Sequence, residues 1–157
     1  IAYIAGPLFK SDASERLNGH KRALAEFNLP FHESLFFIGD FSEIGGSEGL
    51  KHLLQTNIPF SALVCANDEM ASGAMKYARE HGFKLPKDLS LVGFDNVIFT
   101  SYLYPKLTTV EYPANQMGKM AAKLVLKEVY NQKNIGDIKY TFEPTLVTRD
   151  SIAPYKN

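Results

Sequence analysis

Residues 60–66, Phe60-Ser61-Ala62-Leu63-Val64-Cys65-Ala66, run straight into Asn67-Asp68-Glu69-Met70-Ala71-Ser72-Gly73-Ala74-Met75-Lys76-Tyr77-Ala78-Arg79-Glu80-His81-Gly82. The first run is short and almost wholly apolar, as in a strand buried on both faces. The second opens on capping side chains, keeps Met70, Ala74, Met75 and Tyr77 at helical spacing, and stops at a glycine. That predicts a helix over 68–81. The same unit recurs on both sides. Residues 1–5 read as a strand and 14–28 as a helix with the stripe Leu17, Ala23, Leu24 and Phe27. Residues 34–38 are a second strand, and 46–56 a helix carrying Leu50, Leu53 and Leu54. Residues 89–94 are a fourth strand. Apolar strands alternating with helices predict an α/β fold, a parallel sheet with helices on both faces.

After Asp95 the rhythm changes. Residues 96–106 are irregular and aromatic, with Phe99, Tyr102 and Tyr104. Leu107 to Val110 is a short β-prone stretch. A helix is expected over 114–131, with Met117, Met120, Ala121, Leu124 and Val125 on one side. A turn follows, then a last strand over 138–147 broken by Pro144.

The 157 residues suffice for one ordinary domain with a sizeable core. Apolar residues make up 45% and charged residues 22%, the balance of a globular protein. Lys+Arg and Asp+Glu both number 17, so the basic footprint of a free-standing DNA-binding module is missing. The single Cys65 excludes an intrachain disulfide and a Cys-based zinc site. No apolar stretch approaches the roughly 20 residues that span a bilayer. The chain opens on an apolar run without Met and is expected to be a fragment.

In an open parallel sheet, ligands bind outside the carboxyl ends of the strands. The residues that follow each strand are therefore the candidates. The first strand leads through Gly6-Pro7-Leu8 to Arg16, and the second into Gly39-Asp40-Phe41. The third leads into Asn67-Asp68 and the fourth into Asp95-Asn96. A guanidinium, an aromatic ring, a carboxamide and a carboxylate on one edge suit a sugar. Amide and carboxylate match vicinal hydroxyls, Arg offers a rigid fork of donors, and a ring packs on the C–H face of a pyranose. Asp68 reads as the N-cap of the following helix. Asn67 is equally suited to cap or to bind. Asp95 precedes no clear helix and reads as a ligand.

Catalytic patterns fail on context. Gly45-Gly46-Ser47-Glu48-Gly49 fits G-x-S-x-G, but no strand runs directly into it and no His follows Asp95. It reads as a glycine-rich loop with Ser47 near a helix start. His20, His32, His52 and His81 lack zinc-ligand spacing and read as helix-surface or loop residues. Asp40, Asp68 and Asp95 read as solvated loop acids. There is no Walker loop and no G-x-G-x-x-G, so neither a cofactor nor a metal is expected, and the chain reads as a sensor that is not an enzyme.

Several stretches resemble the lactose/galactose-repressor family of transcription regulators. Ile1 through Leu8 followed by Arg16-Leu17-Asn18-Gly19 resembles the opening of that family's second subdomain. Ala66-Asn67-Asp68-Glu69-Met70-Ala71-Ser72-Gly73-Ala74-Met75 is similar to its "AND-x-MA-x-GA" signature. Pro86 through Asp95, Tyr104 through Val110, and Phe142 through Ser151 resemble three further motifs in the family's order. The spacing from Val110 to Pro113 is nearest to galactose repressors. The resemblance implies the C-terminal half of an effector-binding core, a periplasmic-binding-protein-like (type I) subdomain. Residues 1–110 and 138–157 would form it, and 111–137 would be a crossover segment and helix packed on an N-terminal subdomain. It further implies that Arg16, Asn67 and Asp95 hydrogen-bond the effector and that Phe41 stacks on it. Tyr112 is a further candidate, since some family members carry a ligand-facing aromatic just beyond that position, where this chain has Pro113 and Ala114. The expected effector is a sugar such as galactose or a galactoside. The expected assembly is a cytoplasmic homodimer, using the 68–81 helix and the stretch from Phe99 to Tyr104. Operator DNA would be met only through an N-terminal helix-turn-helix domain outside this chain, with no membrane involved. The alternative is a periplasmic sugar-binding protein of a transport system, which shares the two-subdomain fold.

Overall fold

The computed structural model describes residues 1–155. Among them, six strands form one sheet in the order β2-β1-β3-β4-β5-β6. The strands β1 (Ala2–Ala5), β2 (Phe36–Ile38), β3 (Ala62–Cys65), β4 (Ser90–Asp95) and β5 (Thr108–Glu111) run parallel. The last, β6 (Thr145–Val147), is antiparallel to β5. Three helices connect the first four strands: α1 (Ser11–Glu26), α2 (Glu43–Gln55) and α3 (Asp68–Glu80). A fourth, α4 (Ala114–Glu128), lies between β5 and β6.

The chain steps from β1 outward to β2, then returns past β1 to β3. Right-handed crossovers therefore put α1 on one face and α2 and α3 on the other. Alternation along β1 serves both layers. Tyr3 stacks on His20 of α1, with ring centroids 4.6 Å apart. Ile4 reaches α2 at Gly49, where a Cβ would meet its Cδ1 at 2.7 Å.

The inner stripe of α1 is Ala13, Leu17 and Leu24, whereas Ala23 and Phe27 face solvent. The reason lies at the helix end. Asn28 adopts a left-handed φ of 55° and the Leu29 amide bonds the Leu24 carbonyl, so the chain turns out at Phe27. His20 is not a surface residue. It is half-buried between Tyr3 and Phe31, and its Nε2 is buried without a hydrogen-bond partner.

The glycines at 45, 46 and 49 form no loop. They lie inside α2, which Ser42 caps by accepting from the Gly45 amide at 3.0 Å. A Cβ at Gly46 would collide with the Met70 carbonyl, and one at Gly73 with the Glu43 carbonyl. Helices α2 and α3 thus cross backbone to backbone, and Ser47 Oγ donates to the Gly73 carbonyl at 2.9 Å. Close approach outweighs the poor helix propensity of glycine here. This crossing fixes the starts of both helices, next to Phe41 and Asn67. Met70, Ala74 and Met75 are fully buried in it, so they are not available to a dimer surface as the sequence suggested.

The last strand is shorter than expected. Only Thr145–Val147 pairs with β5, directly after Pro144. Helix α4 has no buried residue; Val125 and Leu126 are exposed along it, and Val129 and Tyr130 just past its end.

Candidate functional site

Arg16 reaches from α1 to the carboxyl ends of two strands, β3 and β4. One guanidinium nitrogen, Nη1, donates to the Ala66 carbonyl just beyond β3. Nη2 donates to Asp95 Oδ1 at the end of β4, at 3.3 Å. The guanidinium carbon lies 3.9 Å from the centroid of the Phe94 ring. Two of its five donors are thus engaged in hydrogen bonds, and the Asp12 carboxylate lies 4.0 Å from Nη2. Burial raises the Asp95 carboxyl above its usual range, Arg16 opposes the shift, and Asp12 and Glu69 push it further up.

Asn67 is the N-cap of α3, in extended backbone, its Oδ1 accepting from the Met70 amide at 3.0 Å. Its Nδ2 donates to the Phe41 carbonyl at 2.9 Å. One amide hydrogen remains uncommitted. Phe41 itself has φ 70°, the left-handed region, and its ring tip occupies the space a Cβ at Gly6 would need. Lys10 Nζ lies 5.3 Å from the ring centroid. Asp40 is spent on the turn: its Oδ1 accepts from the Ser42 amide and hydroxyl at 2.9 and 2.7 Å, which lowers its pKa.

Asp68 is neither cap nor solvated loop acid. It is the first residue of α3 and is buried. Thr109 Oγ1 donates to its Oδ1 at 2.5 Å, and the Val97 amide to its Oδ2 at 2.9 Å. A Cβ at Gly93 would collide with this carboxylate, so the glycine makes room for it. Burial raises the Asp68 pKa to about 6, with the two hydrogen bonds opposing the shift.

The structure joins Arg16 to Asp95 and Asn67 to Phe41, and Ala66 links the two pairs in sequence and space. Tyr112 is tied in through its backbone, its amide donating to the Asp95 carbonyl at 3.5 Å, while its side chain is exposed. Phe94, Thr109 and Arg149 support this edge and were not singled out from the sequence, because their contacts join residues far apart in the chain and a local reading carries no signal for them; Asp68 and Asn96 stood at the strand ends in the sequence but without this supporting role. Among the described residues, no group of three His, Cys, Asp or Glu side chains is placed to hold a metal ion. No described helix is long and apolar enough to cross a membrane.

A model of the periplasmic binding protein-like domain matches residues 1–152. The chain belongs to that family. The family's α/β architecture agrees with the sheet described above, and the relatives are LacI-family regulators matched over their effector-binding core. The HTH-type transcriptional regulator GalR of Escherichia coli strain K12 is 39% identical over 153 residues, covering 98% of this chain and 44% of GalR. A sugar-binding transcriptional regulator of the LacI family from Escherichia coli, solved with phosphate, superposes with a TM-score of 0.88 at 35% identity. That match covers 98% of this chain and 55% of the other. The lac repressor dimer, solved on its operator with the anti-inducer ONPF, gives 0.86 at 28% identity, over 98% of this chain and 52% of that one. The chain thus spans about half the length of the relatives it matches.

Proposed function

We propose that this chain is the effector-sensing half of a DNA-binding transcriptional repressor, and that the effector is a sugar such as galactose or a galactoside. The observation that carries the reading is the Arg16–Asp95 pair, held across the switch point of the sheet beside Asn67 and Phe41. The switch point is where open α/β sheets take ligands. Arg16 and Asp95 are aligned for vicinal hydroxyls, Asn67 retains a free N–H, and Phe41 supplies an apolar ring. Tyr112 stands at the rim of the same edge. No reaction chemistry is assigned to this set; it binds.

In this reading residues 1–110 and 138–157 form one subdomain, of which 156–157 lie outside the described residues. Residues 111–137 carry α4 to a second subdomain whose surface covers the Met117, Met120 and Leu124 face. Effector bound between the subdomains favours one relative arrangement, and operator affinity follows through a helix-turn-helix elsewhere in the protein. The protein works in the cytoplasm as a homodimer, for which Ile98, Tyr102 and Tyr104 offer exposed apolar area on one short segment. The identity of the relatives favours this regulator over a transport protein of the same fold.

Calorimetry with galactose tests the site. A hydrogen bond to a charged group is worth about 1.5–3 kcal/mol and a neutral one about 0.5–1.5, so Asp95→Ala should weaken binding roughly tenfold or more and Asn67→Ala roughly two- to tenfold. Unchanged affinity in both variants would remove these residues from the site.

A further inference from the structure

Asp95 and Asn96 have φ values of 116° and 55°, so the end of β4 is a kink that side-chain residues rarely adopt. Such a conformation persists only where its surroundings hold it. One holder is Asp68, which accepts from the Val97 amide and from Thr109, whose hydroxyl oxygen in turn accepts from the Asn96 amide at 3.3 Å. The other comes from the far end of the chain. Arg149 Nη2 donates to Asn96 Oδ1 at 2.6 Å, and Nη1 donates to the Leu107 carbonyl at 2.7 Å and Thr100 Oγ1 at 3.0 Å. The Arg149 amide donates to Thr108 Oγ1 at 2.9 Å.

We propose that Arg149 is a positioning residue for the effector edge, locking the Asp95–Asn96 kink to the β5–β6 pair. Residues 112–144 leave the sheet on β5 and rejoin it on β6, two residues before Arg149. A shift of that excursion moves the strands that Arg149 grips, and the guanidinium carries the shift to Asn96 and so to Asp95. Arg149 therefore sets where the Asp95 carboxylate sits relative to Arg16, without touching the effector. An ammonium replaces it only in part, because one nitrogen cannot span the contacts that the planar fork divides between Nη1 and Nη2. The inference rests on Asp95 being an effector ligand.

Arg149→Met removes all side-chain donors and keeps the apolar stem. Hydrogen exchange of single amides, read by NMR on the full chain, compares Asn96 and Val97 at the kink with Gly39 and Ala66, which bond β1 carbonyls. At least tenfold faster exchange is expected at the first pair, with the second pair within about twofold of the parent. Galactose affinity should fall at least tenfold alongside, with Arg149→Lys between the two. Equal acceleration at all four amides, or none at Asn96 and Val97, overturns the proposal. If Arg149→Met does not fold, Arg149→Lys decides by the same ratio. A parent protein that fails to bind galactose defeats the sugar reading, while the amide ratio still decides the role of Arg149.

Discussion

Replacing His20 by phenylalanine and, separately, Asp68 by asparagine should tilt the pH dependence of stability in opposite directions. Burial among Tyr3 and Phe31 lowers the His20 pKa from 6.5 to about 4. Between those values the unfolded chain binds the extra proton, so stability rises with pH through about 4 to 6.5. The span is about 2.5 units, or up to about 3 kcal/mol at 1.36 kcal/mol per unit. Asp68 works in the other direction. Its pKa rises from 3.8 to about 6, so the folded state holds the extra proton between those values and stability falls as pH rises. That term is of similar size and opposite sign. The His20→Phe protein keeps the aromatic stack and loses the opposing term. Relative to the parent it should lose about 3 kcal/mol between pH 4 and 7. Asp68→Asn should gain about as much over the same interval. Urea unfolding at each integer pH, extrapolated linearly, gives the differences, and ionisations common to all proteins subtract out. A parent-minus-variant difference that is flat with pH for either substitution would refute the burial assigned to that group.

Gly73→Ala should destabilise by about 1–3 kcal/mol, because its Cβ meets the Glu43 carbonyl across the α2–α3 crossing. Gly118→Ala, in open space on α4, should stabilise by up to about 1 kcal/mol, and paired thermal melts check the contrast in sign. Light scattering at high concentration should give a dimer that Tyr104→Asp together with Ile98→Lys dissociates; a strictly monomeric parent would remove this surface from the assembly.

The four parallel strands β1 to β4 and their three helices were legible because each combines a short apolar run with a helix of regular period. The carboxyl-edge rule then gathered Arg16, Phe41, Asn67 and Asp95 without any contact being known. Adjacent positions with similar chemistry were less legible. Asn67 and Asp68 both suit an N-cap, and what separates them is the space beside Gly93, on the neighbouring strand, which takes the Asp68 carboxylate. Gly45 to Gly49 read both as a glycine-rich loop and as the start of the 46–56 helix because propensity is local, while the carbonyl that requires Gly46 belongs to another helix. Arg149 meets Asn96 across 53 residues, beyond any pattern in the chain.

The backbone supplies an independent reason to look where the edge rule pointed. Among the described residues, six non-glycine residues have positive φ: Asn28, Phe41, Asn57, Asp95, Asn96 and Asn131. Asn28, Asn57 and Asn131 follow the ends of α1, α2 and α4, where asparagine in left-handed backbone is an ordinary terminator. Asn96 tolerates the region and is tied down by Arg149. That leaves Phe41, which has no such preference, and Asp95, whose φ of 116° lies beyond the left-handed region that asparagine and aspartate tolerate. Sequences otherwise consistent with their fold break local rules chiefly where function requires it. Both residues had already been chosen from strand-end position and side-chain chemistry, neither of which depends on φ. The same carboxylate and the same ring therefore combine a strand-end position with a backbone held outside its ordinary range.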